Sequence, residues 1–181
     1  MPRLIHLNGP PGVGKSTLAR RFVADHPGTL NLDIDVLRTL VGGWADDYSR
    51  TGALVRPVGL AAITAYLDQG EDVVLPQLIS RPEELARFRR AAGGAFYHHL
   101  VLTAPADVLV RRFGARAVSG AAGDAVAGAA NHVAAHGGES ALRRYRDDLH
   151  RLAAADPTAH LVETVDGDVG ATYAAIGSLL V

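Results

Sequence analysis

Nine consecutive residues, Gly9-Pro10-Pro11-Gly12-Val13-Gly14-Lys15-Ser16-Thr17, fit the pattern G-x-x-x-x-G-K-[ST]. A loop of this kind turns backbone N–H groups inward around phosphate oxygens. The helix that follows adds the positive end of its dipole. In that arrangement Lys15 neutralises the β- and γ-phosphates and the Ser16 hydroxyl ligates Mg²⁺. Lys15 is the only lysine in the chain, every other long basic side chain being arginine. A compact ammonium has been kept where it must fit among phosphates. The expected ligands are therefore ATP or GTP, with Mg²⁺.

Asp33 and Asp35 stand two residues apart at the end of the run Thr29-Leu30-Asn31-Leu32. If the strand persists through them, both carboxylates project from one face and Ile34 from the other. Moving a phosphoryl group onto a hydroxyl calls for a group that orients and deprotonates the acceptor, and for acidic help in holding Mg²⁺. The bland alternative makes Asp35 the N-cap of the next helix and Asp33 a solvated loop acid. Capping by Asp35 would not exclude catalysis. The later run Val73-Val74-Leu75 is followed by Pro76-Gln77, so no acid stands at that strand's end, and Asp33 becomes the candidate metal acid. Gln77 is a candidate contact to the acceptor. Arg38 either meets an anionic substrate or pairs with Asp35, one turn before it.

Arg112 and Arg116 lie one helical turn apart, beside the apolar anchors Val108, Leu109 and Phe113. A mobile guanidinium that arrives with a closing lid stabilises charge on a transferring phosphoryl group. A solvated basic helix is the alternative, and Arg111 is expected to face solvent. Between residues 44 and 52, Trp44, Asp46, Asp47 and Tyr48 form a polar, aromatic loop. The indole there either stacks on a planar acceptor or covers the core. His132 and His136 share a helical face without an evident third zinc ligand. His98 and His99 point to opposite sides of a strand.

Apolar runs alternating with helical patterns must position these groups, which predicts an α/β protein with a parallel sheet. Strands are expected over 4–8, 29–35, 71–75, 96–103 and 160–165. Helices are expected over 16–24, 36–41, 53–69, 80–92, 105–112, 139–155 and 168–180, with a capping box from Ser80 to Glu83 opening the fourth. Five strands with the glycine loop after the first imply a doubly wound sheet, with ligands beyond the carboxyl ends of its strands. One domain spans 1–181, with a substrate-binding insertion over about 36–70. The stretch 114–138, rich in Ala and Gly, is expected to be a lid.

Composition narrows the classes. The net charge of −1 gives no sequence-wide electrostatic case for nucleic acid or an anionic membrane. The absence of cysteine removes disulfides, thiolate metal sites and thiol nucleophiles. No apolar run approaches the length of a membrane span, and the first strand begins too early for a signal peptide, so a cytoplasmic protein is expected.

Asp33-Ile34-Asp35-Val36-Leu37-Arg38 resembles the acid-x-acid stretch after the second strand of small-molecule P-loop kinases, among them adenylylsulfate kinase and chloramphenicol phosphotransferase. The resemblance implies Asp35 as base and Asp33 as its partner or as a ligand of Mg²⁺-bound water. The Arg112/Arg116 pair is similar to the R-x-x-x-R of nucleoside-monophosphate-type kinases, which implies that Arg112 stacks on the base and Arg116 reaches the phosphates. In such kinases Val165-Asp166-Gly167-Asp168 would hold the nucleobase, through Asp166 or Asp168; an N-cap is the simpler role for Asp168. From Glu71 onward, Val73-Val74-Leu75-Pro76, Arg81-Pro82-Glu83, His98-His99-Leu100-Val101-Leu102 and the arginine pair resemble tunicamycin-resistance-type P-loop proteins. The Asp33/Asp35 pair departs from that type toward the kinases.

These resemblances imply a three-layer P-loop NTPase fold, nucleoside-monophosphate-kinase-like, with a small lid. They imply a phosphotransferase acting on a hydroxyl of a small molecule, with a nucleoside antibiotic as first candidate. The acceptor side is expected from Asp35, Arg38, Trp44, Tyr48 and Gln77, in a monomer or homodimer without nucleic-acid or membrane partners. The alternatives are a nucleotide-gated drug-binding protein that transfers nothing, and a kinase acting on polynucleotide 5′-hydroxyls or activated sugars.

Overall fold

The computed structural model describes residues 1–118 and 124–180, the side chains of 116–118, 124 and 126 excepted. Five parallel strands, β1 (Arg3–Asn8), β2 (Leu30–Asn31), β3 (Val73–Leu75), β4 (Phe96–Thr103) and β5 (Ala159–Glu163), lie in the order β2-β3-β1-β4-β5. Eight helices among the described residues connect or cover them: α1 (Lys15–Asp25), α2 (Ile34–Thr39), α3 (Tyr48–Leu67), α4 (Pro82–Ala91), α5 (Ala106–Val118), α6 (Asp124–Ala135), α7 (Glu139–Ala154) and α8 (Val169–Ser178). The central strands are mostly apolar on both sides because helices cover both faces of the sheet, with His6, Asn8 and His99 as buried polar exceptions.

Alternation along the strands sorts the core into two layers. Leu4, Val73, Leu75 and Val101 pack against α3, α4 and α7 through Ile63, Phe88 and Leu149. Ile5, Leu7, Val74, Leu100 and Leu102 pack against α1, α5 and α8 through Phe22, Leu109 and Ile176. Each fully buried Leu, Ile or Phe of this kind contributes about 1.5–3 kcal/mol of burial free energy. The register pairs Asn8 with Val101 and His6 with Leu75, so the glycine loop leaves the carboxyl edge of the sheet between its two neighbours.

Several boundaries differ from the sequence expectation. The second strand ends at Asn31, and Asp33 turns the chain into α2 as its N-cap, Oδ1 accepting from the Asp35 N–H at 3.0 Å. The two acids are therefore not neighbours on one strand face, and the capping acid is Asp33 rather than Asp35. Asp47 caps α3, accepting from the Arg50 N–H at 2.9 Å, so half of the anticipated 44–52 loop is helix. Arg81 occupies the N-cap of α4 and Pro82 follows, so the Ser80–Glu83 capping box does not form. The helix expected over 105–112 continues as α5 to Val118, and α6 begins at Asp124. Residues 119–123, part of the expected lid, lie outside the described residues.

Candidate active site

The glycine loop is fixed by close packing. A Cβ at Gly9 would stand 2.8 Å from Val13 Cγ1 and 2.9 Å from the Leu102 carbonyl oxygen. Gly14 adopts φ 108°, a left-handed conformation that favours glycine, and serves as the N-cap of α1 without a side-chain cap. The start of α1 thus presents its first-turn amides and dipole to an anion. Lys15 Nζ arches back over the loop and donates to the carbonyls of Gly9 at 2.8 Å and Pro10 at 3.1 Å. Asn8 anchors the loop's entry. Its Oδ1 accepts from the N–H groups of Gly9 and Ile79, both at 2.9 Å, and its Nδ2 donates to the Ile79 carbonyl at 2.8 Å. Asn8 was missed in the sequence, where only a polar residue ending an apolar strand marks it.

Across the loop, Ser16 Oγ donates to Asp33 Oδ2 at 3.2 Å. The Asp33 carboxyl is pushed above the ordinary range, first by burial and then by the neighbouring Asp35 charge. A partly desolvated carboxylate beside a serine hydroxyl is a hard-oxygen donor pair that fits Mg²⁺. Such an ion keeps several waters and takes its remaining ligands from phosphates. Among the described residues no group of three His, Cys, Asp or Glu side chains stands ready for a metal, and His132 and His136 have no third partner of that kind.

Asp35 sits one helical position inside α2. Its Oδ1 lies 2.9 Å from Arg38 Nη1 and accepts from the Tyr48 hydroxyl at 3.2 Å. The Arg38 guanidinium lies 3.5 Å from the Tyr48 ring centre, and His132 of α6 stacks on the same ring at 4.7 Å. Burial and the Asp35 charge push the Tyr48 phenol well above its usual range, so it stays a donor. Lys15, Ser16, Asp33, Asp35, Arg38, Tyr48 and Gln77 all line one cavity of about 240 Å³. Gln77 is buried, and its Oε1 has no hydrogen-bond partner. Arg56, His132 and Tyr145 complete the wall. Nothing in the sequence singled out Arg56 or Tyr145, and His132 was noticed only for its spacing to His136.

Trp44 does not line this cavity. Its ring fills the place a side chain at Gly128 would take, a Cβ there falling 2.4 Å from Cζ3, and it borders a separate hollow beside α6. Stacking of the indole on an acceptor in the shared cavity is therefore not what this arrangement provides.

On the other side of the loop a cavity of about 350 Å³ is lined by Gly12, Thr17, Arg112, Asp166, Gly167 and Asp168, among others. Arg112 donates to Asp166 Oδ1 at 3.0 Å, to Thr164 Oγ1 at 3.1 Å and to the Val165 carbonyl at 3.2 Å. Exposed Arg111 also pairs with Asp166, and the two guanidinium groups hold its carboxyl below the usual range. Asp168 caps α8, accepting from the Ala171 N–H at 2.8 Å. Arg116 belongs to α5, but its side chain lies outside the described residues.

The family model described as an AAA domain matches residues 4–137. No curated protein matches. Among solved structures, the chain is similar to a tunicamycin resistance protein from Deinococcus radiodurans, at 20% identity and TM-score 0.62, over 99% of this chain and 96% of that one. It is also similar to a putative kinase from Chloroflexus aurantiacus, at 18% identity and TM-score 0.69, over 99% and 94%. A gluconokinase from Sinorhizobium meliloti aligns at 19% identity and TM-score 0.65, over 99% and 91%. The architecture they share is that of P-loop kinases. Among the described residues no helix is long and apolar enough to cross a membrane.

Proposed function

The chain belongs to the AAA domain family of P-loop proteins, and we propose that it is a phosphotransferase, moving the γ-phosphoryl group of ATP or GTP onto a hydroxyl of a small molecule. One observation carries this reading: the phosphate-loop residues Lys15 and Ser16 and the carboxylates of Asp33 and Asp35 line a single cavity. In it Lys15 and the amides opening α1 hold the phosphates. Ser16 and Asp33 would hold Mg²⁺, which supplies charge neutralisation between the phosphates. Asp35 receives the proton of the acceptor hydroxyl, and Arg38 and Tyr48 fix the orientation of its carboxylate. The nucleobase falls to the cavity of Arg112, Asp166 and Asp168 on the far side of the loop.

The likeness to a tunicamycin resistance protein and to a gluconokinase makes nucleoside antibiotics and sugar acids the first acceptors to test. Each candidate is incubated with ATP or GTP and Mg²⁺ and weighed by mass spectrometry. Transfer adds about 80 daltons, the mass of one HPO₃ unit, to the acceptor. An acceptor that binds with either nucleotide and gains no mass would replace the kinase by a drug-sequestering protein.

A further inference from the structure

Beside the transfer cavity lies a second one, of about 480 Å³, sharing Arg38, Tyr48, Arg56 and His132 with it. Its outer wall is the turn Ile79-Ser80-Arg81 and the first turn of α4. Small-molecule sites enclose about 300–1,000 Å³, so the acceptor has room to extend past Asp35 into this second space.

Arginines outnumber acids in its lining: Arg38, Arg56 and Arg81 stand with the single acid Glu84, and Arg38 also pairs with Asp35 at 2.9 Å. Glu84 is already engaged by Arg56 Nε at 3.3 Å and by Arg87 Nη1 at 3.0 Å. Arg38 is only 5% exposed, yet its Nε makes no hydrogen bond. Its place is built into the fold, since a Cβ at Gly52 would stand 2.5 Å from its Nη2. Glycine at 52 lets the guanidinium lie against α3. Glu83 and Glu84 flank the start of α4, but no side chain caps it. An oxyanion meets a guanidinium fork with paired, charge-assisted hydrogen bonds, as the forks of Arg56 and Arg81 in this lining can supply. A neutral hydroxyl would leave most of that donor capacity unused.

We propose that this second cavity binds an anionic group of the acceptor, a phosphate or a carboxylate, remote from the hydroxyl that meets Asp35. The acceptor is then an anionic small-molecule alcohol. This rests on the phosphotransfer site proposed above, so binding must be read apart from transfer. Protein saturated with a non-hydrolysable ATP analogue and Mg²⁺, which fills the phosphate loop, is titrated calorimetrically with phenyl phosphate, benzoate and benzyl alcohol.

At least one of the two anions is expected to saturate a single site, with benzyl alcohol binding about tenfold more weakly or not at all. The tighter of phenyl phosphate and benzoate identifies which anion the cavity takes. Arg81→Gln, at an exposed position outside the core, or Arg56→Gln is expected to weaken that binding about tenfold. Benzyl alcohol binding as tightly as the anions, or anion affinity unchanged in both variants, would overturn the proposal. Anion binding without turnover on any alcohol would leave the cavity assigned and remove the kinase. Turnover on neutral alcohols with no anion binding would do the reverse.

Discussion

In the proposed site Asp35 is the residue on which the nucleotide and acceptor halves meet. The Tyr48 hydroxyl and Arg38 both address Oδ1, and the phenol ring is held between the guanidinium and His132. Tyr48→Phe keeps that stack and removes only the hydrogen bond to Asp35. A bond to a charged group is worth about 1.5–3 kcal/mol, so kcat is expected to fall roughly tenfold or more, with nucleotide KM unchanged. Steady-state kinetics checks this, and a wild-type kcat in the phenylalanine variant would free Tyr48 from that role. That Lys15, Ser16, Asp33 and Asp35 share one cavity follows from what the sequence showed, a glycine loop after the first strand and two acids after the second, although the acids meet through a helix cap and not on a strand face. Arg56 and Tyr145 were not legible there, since their part in the wall depends on how α3 and α7 pack. The place of Trp44, open in the sequence between stacking on an acceptor and covering the core, was hidden for the same reason: its surroundings are set by α6, far away in sequence.

At the scale of elements, the strands were readable because burial on both faces leaves unbroken apolar runs, as in Val73-Val74-Leu75. Helix starts were less so. Ser80 and Glu83 have the spacing of a capping box, yet Pro82 opens α4, its ring already set to a helical φ, one residue after Arg81. The second strand ends early because the Asp33 side chain satisfies an amide of α2, a competition that periodicity does not reveal. The stretch rich in Ala and Gly read as a lid, and from Asp124 it is helix α6, whose small residues have a packing reason. Gly128 admits the Trp44 ring between α6 and the segment joining α2 to α3. Gly128→Ala would overfill that contact, and overpacking of this kind costs about 1–3 kcal/mol. A lowered melting temperature, with a red-shifted emission from the single tryptophan as it gains solvent, is the expected outcome. An unchanged melting temperature would show that α6 yields without strain.

Across the whole molecule, a buried polar seam ties the sheet to the site. His6 Nε2 donates to the Gln77 carbonyl at 2.9 Å, and because burial keeps the ring neutral its Nδ1 accepts from the Tyr97 hydroxyl at 2.7 Å. His99 donates through Nδ1 to Asp156 at 2.8 Å and accepts at Nε2 from Asn8 at 3.1 Å. Through Asn8 this second chain reaches the entry of the phosphate loop. Burial, followed by the nearby His99, lowers His6 to about 3. Burial lowers His99 too, against the pull of Asp156. A histidine whose folded value lies below its unfolded value of about 6.5 contributes stability that is complete above that pH and lost as the pH falls toward the folded value. Asp33, raised by burial, works in the opposite sense.

The histidine effect is the larger expectation, since His6 alone accounts for about 1.4 kcal/mol per pH unit below 6.5. Urea denaturation should therefore show a loss of about 2 kcal/mol between pH 7.5 and pH 5. Equal stability at the two values would mean that the seam opens to water.

In the proposed reaction Asp35, which lines the same cavity as the phosphate-loop residues Lys15 and Ser16, activates the acceptor hydroxyl. The direct measurement sets Asp35→Asn beside the unaltered protein, with the acceptor identified by mass gain, and follows both transfer rate and nucleotide affinity. Loss of the base is expected to lower kcat by about 10²–10⁴-fold, while the dissociation constant for the nucleotide changes by no more than about threefold. Full turnover by Asp35→Asn would contradict the assignment.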